Sequence, residues 1–323
     1  LKELKKEGVS IIFITHKLRE VKEVTDEITV LRKGKVVANV ETASVTEADL
    51  AKLMVGREVV MKIERKPREP GEELLKIENL WVRGEEGEWA VKGVSLSVRA
   101  GEILGLAGVE GNGQKELVEA ITGLRPAEKG RVVLKGEDIT NLHPRKLYKK
   151  GLAHIPDDRQ GVGLIMDFKV AENSLLGIHW NKPFSENFSL KWDKIVEWAK
   201  KLVSRFDVVT PSVEAPTRYL SGGNQQKLVV GREIMKGADV IIASQPTHGL
   251  DVAATEYIRK LLVEMRDKGK AVLLISTDLD EIMQLSDRVA VIYEGKIMGV
   301  AKPEELTEEK LGLMMGGVSL DEA

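Results

Sequence analysis

Residues 1–56 of this chain recur, without a gap, as residues 262–317, and at that constant offset 15 of the 56 pairs are identical. Gly8 meets Gly269, Ile14 meets Ile275, Leu18 meets Leu279, Glu20 meets Glu281 and Asp26 meets Asp287. Gly34 and Lys35 meet Gly295 and Lys296, and Gly56 meets Gly317. No other feature restricts the fold as much, because a unit built by one copy must also be built by the other. Each copy reads as a helix, a glycine stop, a buried strand (10–15 and 271–276) and a short helix. A strand pair follows, turning at Lys33 and Gly34 or at Glu294 and Gly295. Residues 1–60 therefore read as the C-terminal part of a first domain and 74–323 as a complete second one. Between them, 61–73 reads as a linker: from Lys62 onward it is charged, holds two prolines and lacks apolar periodicity. The chain opens on Leu1 inside a helix-like run, with no initiator Met and no signal-peptide layout, so it reads as the tail of something longer. The strand at 10–15 would ordinarily be buried beside neighbours that this sequence does not supply. It is expected to be disordered or to cling to another surface.

Composition narrows the class. Over 323 residues, 42% apolar and 31% charged, there is enough apolar surface for a core beneath a charged exterior, as in a soluble globular chain. A net charge of -2 leaves no global field to attract nucleic acid, so an anion must be held by a local site. The absence of Cys removes disulfides, a thiol nucleophile and Cys-ligated zinc, and His143, His154, His179 and His248 show no metal spacing. No apolar run approaches the roughly 18 residues of a membrane-spanning helix.

A local anion site is legible at 108–116. Strand signals at 74–82 and 94–98 precede a buried run at 102–107, which feeds Gly108, Val109, Glu110, Gly111, Asn112, Gly113, Gln114, Lys115 and Glu116; a helical stretch at 117–124 follows. Strand, Gly-rich loop and helix in that order are the context of a phosphate loop, whose backbone N–H groups and helix N-terminus point at phosphate oxygens. Gly108, Gly111 and Gly113 occupy the glycine positions. The next position asks for Lys and holds Gln114, and Lys115 stands where Ser or Thr would reach Mg²⁺. The shape of the loop is kept without its charge chemistry.

The stretch 220–227, Leu-Ser-Gly-Gly-Asn-Gln-Gln-Lys, resembles the signature motif of ABC-type ATPases in their simple-sugar and nucleoside importer form. The resemblance extends over nearly the whole chain. The buried run 239–243 leads to Ser244, Gln245, Pro246 and Thr247 and then to Gly249, Leu250 and Asp251, which looks like a Walker B strand entering the D-loop. The family's hydrolytic form has an Asp ordering Mg²⁺ at position 244 and a Glu polarising water at position 245. The repeat puts His16 and Thr277 at the two switch positions, and the Gln-loop position falls on Asp157. Glutamine can hold a water but accepts no proton, so hydrolysis at this domain's own loop is expected to be very slow.

The resemblance implies an α/β P-loop ATPase core of ABC type, with an antiparallel β lobe near 74–98 and a helical subdomain around 160–230. It also implies an asymmetric pair of ATP sites, each joining one domain's phosphate loop to the other's signature. Ser221, Gly222, Gly223 and Gln225 would complete the first domain's site, near His16, while Gln245 and Asp251 belong to the catalytic positions. The second domain's loop would bind ATP, with Lys115 supplying some of the missing positive charge. Mg²⁺ is expected at the partner domain's site, whereas this domain's own loop lacks the residues to hold it.

The implied function is the ATP-binding, energy-coupling subunit of an importer for a nucleoside or simple sugar, peripheral at the cytoplasmic face of the membrane. The loop and Gln245 look most like nucleoside-type members. Implied partners are membrane permease subunits, the first nucleotide-binding domain or a second copy of the subunit, and indirectly an extracytoplasmic binding protein, with no nucleic acid. Two rivals remain: a non-hydrolysing structural or regulatory ABC module, and a soluble tandem ABC protein acting on ribosome or DNA. The second should carry a basic surface and working Walker residues. Trp81 or Trp89 could stack on adenine. Trp180, Phe184, Phe188, Trp192 and Trp198 suit either a subdomain core or a permease groove. Arg145, Lys146, Lys149 and Lys150 read as a solvated basic face.

Overall fold

The parallel strands expected to carry the phosphate loop and the Walker B position are central strands of one sheet in the computed structural model, which describes residues 1–32, 34–60, 63–187 and 189–322. Lys33 at the first repeat's turn, Met61 and Lys62 at the start of the expected linker, Phe188 of the aromatic group and the terminal Ala323 lie outside the described residues. Two compact units are present: 1–63 with 249–257, and 64–248 with 258–323.

The first unit contains α1 (Lys2–Lys6), α2 (Leu18–Val24), the antiparallel pair β1 (Glu27–Arg32) and β2 (Lys35–Glu41), and α3 (Glu47–Val55). Leu18, Val30, Leu50 and Ala51 form its small core. Thr46 and Asp49 make a reciprocal capping box that starts α3, and Gly56 ends it in the left-handed conformation that a residue without Cβ adopts at least cost.

In the second unit, β3 (Glu73–Arg83), β4 (Trp89–Arg99), β6 (Ala127–Leu134) and β7 (Glu137–Asp138) form an antiparallel sheet ordered β4-β3-β6-β7. The main sheet has the order β14-β13-β5-β12-β11-β8. Its strands are β5 (Ile103–Ala107), β8 (Leu152–Ile155), β11 (Val240–Ser244), β12 (Ala271–Ile275), β13 (Arg288–Tyr293) and β14 (Lys296–Ala301), parallel except for the edge strand β14. Helix α4 (Gln114–Ile121) closes the core between the two sheets through Leu117, Val118 and Ile121. The helical part comprises α5 (Pro144–Lys149), α6 (Val170–Ser174), a two-residue-stranded hairpin β9 and β10 (Ser185–Glu186, Ser189–Leu190), α7 (Trp192–Arg205) and α8 (Gly222–Met235). Helix α9 (Val252–Asp267), α10 (Leu279–Leu285) and α11 (Glu308–Met315) complete the chain. Among the described residues no helix is long and apolar enough to cross a membrane.

The sequence repeat is also a structural one. At the same offset α2 matches α10, β1 matches β13, β2 matches β14 and α3 matches α11. Even the bulge between Val30 and Leu31 recurs between Val291 and Ile292. One segment departs. Residues 271–275 form the fully buried β12, paired with β5 and β11, whereas 10–15 form no strand. Ile12 and Ile14 are 94% and 91% exposed where Leu273 and Ile275 are 0% and 4% exposed. A parallel strand is stable only with neighbours on its edges and covers on its faces, and among the described residues the first copy has no counterparts of β5 and β11. The expectation that this segment would lack its sheet is therefore met, and it lies open rather than packed.

Residues 64–73 are not a free tether. Arg65 donates to the Gln284 carbonyl at 2.7 Å and pairs with Asp287 at 3.0 Å, and Arg68 donates to the Asp267 carbonyl at 2.5 Å. Asp287 also takes both Nη2 and Nε of Arg266, at 2.6 and 3.0 Å, and the N–H of Ile103 at 2.8 Å, so it ties the base of β5 to α9 and the incoming chain. The first copy has the same pair in exposed form, Lys5 to Asp26 at 2.5 Å. Arg266 is 1% exposed, so its removal takes two charge-assisted bonds from Asp287, which keeps only Arg65 and the Ile103 N–H, and leaves a cavity where the buried side chain stood. Arg266→Ala is expected to cost about 3 kcal/mol of second-unit stability in chemical denaturation, by the penalty for breaking a buried pair. Lys5→Ala should change the first unit's stability by less than about 1 kcal/mol, as for surface pairs.

Candidate functional site

The phosphate loop leaves the carboxyl end of β5 and enters α4. Gly113, at φ +100°, is the N-cap of α4, and a Cβ there would stand 2.3 Å from the Ala90 carbonyl oxygen, so only glycine fits. Gly111, at φ +89°, faces open space, and a Cβ on Gly108 would meet Gln114 Nε2 and the Ile292 carbonyl at 2.7 Å. Asn112 fixes the loop from behind: its Oδ1 accepts the N–H of Glu294 at 2.7 Å, and its carbonyl accepts that of Gly295 at 3.0 Å. The β13–β14 turn, a product of the repeat, thus braces the cradle. Gln114 is buried and donates its amide to the Val109 carbonyl at 2.9 Å, as Asn112 Nδ2 does at 3.0 Å. The loop is closed by neutral amides. Glu110 is exposed and Glu116 half-buried in the first turn of α4.

Lys115, expected to bring positive charge to this loop, is ion-paired with Glu85 of the β3–β4 turn at 3.0 Å. The pair holds the Glu85 carboxyl below its ordinary range and the Lys115 ammonium above its own, so each keeps the other charged and neutralised. The donor set does not suit Mg²⁺: an ammonium stands in place of a hydroxyl at 115, and a neutral, buried Ser244 Oγ stands without a hydrogen-bond partner in place of a carboxylate. Among the described residues no group of three or more acidic or imidazole side chains could hold a metal.

Helix α8 begins at the signature stretch. Ser221 is its N-cap with extended backbone, yet its hydroxyl makes no capping bond; it accepts from Asn224 Nδ2 at 2.9 Å. Ser221 is exposed and Gly222 and Gly223 are half-buried. Fourteen helical residues lie behind that N-terminus, so its first amides carry the positive end of the helix dipole. Gln225, expected as a nucleotide contact, is buried and used internally, donating to the Leu220 carbonyl at 3.0 Å and accepting from Gln160 Nε2 at 3.0 Å.

At the carboxyl end of β11, Gln245 adopts φ +47°, uncommon for a residue with a Cβ, and is held there by its N–H to the Ile275 carbonyl at 2.8 Å. Its side-chain oxygen accepts from the N–H and the hydroxyl of Thr277 at 3.2 and 3.3 Å. The structure thus brings together, as an uncharged pair, the two residues that the resemblance placed at the catalytic and switch positions of the second copy. Nearby, buried Glu281 accepts from Thr247 Oγ1 at 2.7 Å and from Arg259 at 3.1 Å. Sequence reading missed this group, although Glu281 was one of the residues identical between the copies. His16 and Asp251 belong to the other unit. His16 is exposed in the strandless stretch, and Asp251 caps α9 by accepting the N–H of Ala254 at 2.8 Å.

The aromatic residues divide by burial. Phe184 and Trp198 meet edge to face at 5.3 Å in the helical core, Trp180 lies under Arg145 at 4.2 Å, and Trp192 is exposed beneath Lys169. Within the basic face, Arg145 is therefore spent on a ring and Lys150 on Glu137. Trp81 and Trp89 contact each other at 5.3 Å, with Arg83 on the Trp89 ring at 4.0 Å.

A glycine cradle at the end of a central parallel strand, opening a helix and flanked by the ends of β11 and β12, gives the second unit the architecture of the P-loop ATPase fold. More particularly, it has the ABC ATPase fold, with the antiparallel lobe and helical subdomain expected. Residues 91–248 match the family described as ABC transporter. The chain is 50% identical over 323 residues to the guanosine import ATP-binding protein NupO of Bacillus subtilis, covering 100% of this chain and 63% of that protein. It is 47% identical over 322 residues to the nucleoside import ATP-binding protein NupA of Lactococcus lactis, covering 100% and 64%. It thus spans a little under two thirds of the length of these relatives. A nucleotide-free ATP-binding cassette from an ABC transporter superposes with TM-score 0.63 at 26% identity, over 76% of this chain and 96% of that one.

If Glu85 withholds Lys115 from the loop, Glu85→Gln should tighten ATP binding about two- to fivefold, the scale of one exposed ion pair. Titration calorimetry without Mg²⁺ checks this, and unchanged affinity would remove Lys115 from the site.

Proposed function

We propose that this chain is part of the ATP-binding, energy-coupling subunit of an ABC importer whose cargo is a nucleoside or simple sugar. A nucleoside is favoured by the names of the two relatives above. In this reading residues 1–60 end a first nucleotide-binding domain, and 74–323 are a second whose own loop binds ATP and barely hydrolyses it. The second domain lends Ser221, Gly222 and Gly223 to the ATP site of the first, where His16 is the switch residue and Mg²⁺ is bound. Its partners are permease subunits at the cytoplasmic face of the membrane, the rest of the first domain or a second copy of the subunit, and indirectly an extracytoplasmic binding protein.

The observation that carries this reading is the selective pattern of loss. Phosphoryl transfer depends on positioning together with charge, from a Lys, a metal and a residue that orients water. Here the positioning elements persist: the glycine cradle, its brace at Asn112 and the open start of α8. The charged elements are replaced by Gln114, bonded to its own loop, and by Gln245, bonded to Thr277. Gln245 can hold a water through its amide but takes no proton from it. The open Ile12 and Ile14, whose second-copy equivalents are buried, support the placement of 1–60 as the end of a like domain.

The deciding test is Ser221→Ala in the full-length subunit assembled with its permease. Transport and ATP hydrolysis should fall by at least about 100-fold, the scale of losing a donor to developing phosphate charge. Unchanged transport would assign the second unit a purely structural or regulatory role. The chain by itself should bind ATP without brisk turnover; rapid hydrolysis in the absence of a companion domain would contradict the reading.

A further inference from the structure

The two hairpins of the repeat, β1–β2 and β13–β14, share a bulge and a left-handed glycine at the turn, Gly34 at φ +73° and Gly295 at φ +79°. Their bases are alike: Val30 and Val291 are 4% and 0% exposed. Their tips differ. In the second copy Ile292, paired with Ile297, is fully buried behind the phosphate loop, where a Cβ on Gly108 would stand 2.7 Å from its carbonyl oxygen and 2.8 Å from its Cγ2. Gly295 is buried at the far end of the same loop. It donates to the Asn112 carbonyl and accepts the N–H of Lys92 at 2.8 Å, and its Cα lies 3.4 Å from where a Cβ on Gly113 would stand. A Cβ on Gly295 itself would stand 2.3 Å from the Ala90 carbonyl oxygen. In the first copy the matching pair, Leu31 and Val36, is 63% and 57% exposed, and a Cβ on Gly34 would meet nothing within 4 Å.

We propose that the tip of β1–β2 braces a second phosphate loop, that of the first nucleotide-binding domain, and that Leu31 and Gly34 are its positioning residues. Leu31 fills the space behind the first glycine of that loop, and Gly34 admits the last. The partner is therefore a Gly-rich loop with its incoming strand, and more than a third of the length of NupO lies outside the match to this chain. Two independent features carry the assignment. An apolar pair open on a hairpin tip is a liability until something covers it, and the equivalent pair covers the phosphate loop. A turn of positive φ is open to Asn as well as to Gly, so the turn alone does not demand a residue without a side chain. The close approach of a neighbouring carbonyl does, and it is seen in the copy whose neighbours are present. The proposal rests on the reading that residues 1–60 end a first domain whose own loop serves the hydrolysing site.

The test measures ATP hydrolysis by the full-length subunit with its permease, in Gly34→Asn, Leu31→Ala and Gly295→Asn. Asn keeps the left-handed turn and adds a side chain, so Gly34→Asn should raise KM for ATP about tenfold with the melting temperature unchanged. Leu31→Ala should raise KM about threefold, and it decides the matter should Gly34→Asn fail to fold. Gly295→Asn should act on the other loop, lowering the ATP bound per subunit at equilibrium more than it raises KM. A KM equal to wild type in Gly34→Asn and Leu31→Ala overturns the brace, as does a loss of rate that follows a fall in melting temperature at unchanged KM. In either case the underlying reading stands if Ser221→Ala still abolishes hydrolysis. Should Gly295→Asn raise KM while Gly34→Asn does not, hydrolysis runs at the second unit's own loop, and the underlying reading fails with the proposal.

Discussion

The convergence of loops beside the glycine cradle of the second unit depends on the pairing of buried parallel strands. β12 lies between β5 and β11, and the carboxyl ends of these three neighbours deliver Thr277, the phosphate loop and Gln245 side by side. A parallel strand buried on both faces must find backbone partners on both edges, or its amides lose water without compensation. The second copy of the repeat meets that requirement and the first does not. Where it is met, three loops far apart in sequence converge. Where it is not, the same kind of apolar run lies open and without strand structure.

The convergence is built from neutral groups. Gln114 and Asn112 return to the Val109 carbonyl, and Gln245 is held by Thr277, so amides and hydroxyls bond one another at these loop positions. Several of the charges around it are paired: Lys115 with Glu85, Arg259 with Glu281, and Arg266 and Arg65 with Asp287. Backbone donors and a helix dipole need no side-chain charge, so a glycine cradle is suited to phosphate without one.

The resemblance at 220–227, the Gly-rich loop and the repeat were legible because each is written in contiguous residues with a fixed local geometry. Glycine positions encode left-handed backbone, and Gly34 and Gly295, Gly8 and Gly269, Gly56 and Gly317 do share it. Helix starts drifted by a few residues, as at α4, which begins at Gln114 rather than at 117, because a loop that feeds directly into a helix leaves no break in polarity. The hydrogen bonds of Arg159 to the His248 carbonyl, of Gln160 to Gln225 and of Gln226 to the Pro246 carbonyl were not legible, since each spans 20 to 89 residues.

The sequence by itself determined the unit that is repeated, the strand–loop–helix order at the phosphate loop, and the uncharged residue types at positions 114, 244 and 245. These follow from residue type and spacing. Only the tertiary structure decided where the substituted side chains point. Lys115 turns to Glu85, Gln225 turns inward, and the aromatic residues separate into a core pair and surface rings. Those outcomes are competitions between partners for one side chain, and the winner is set by distance in the folded chain.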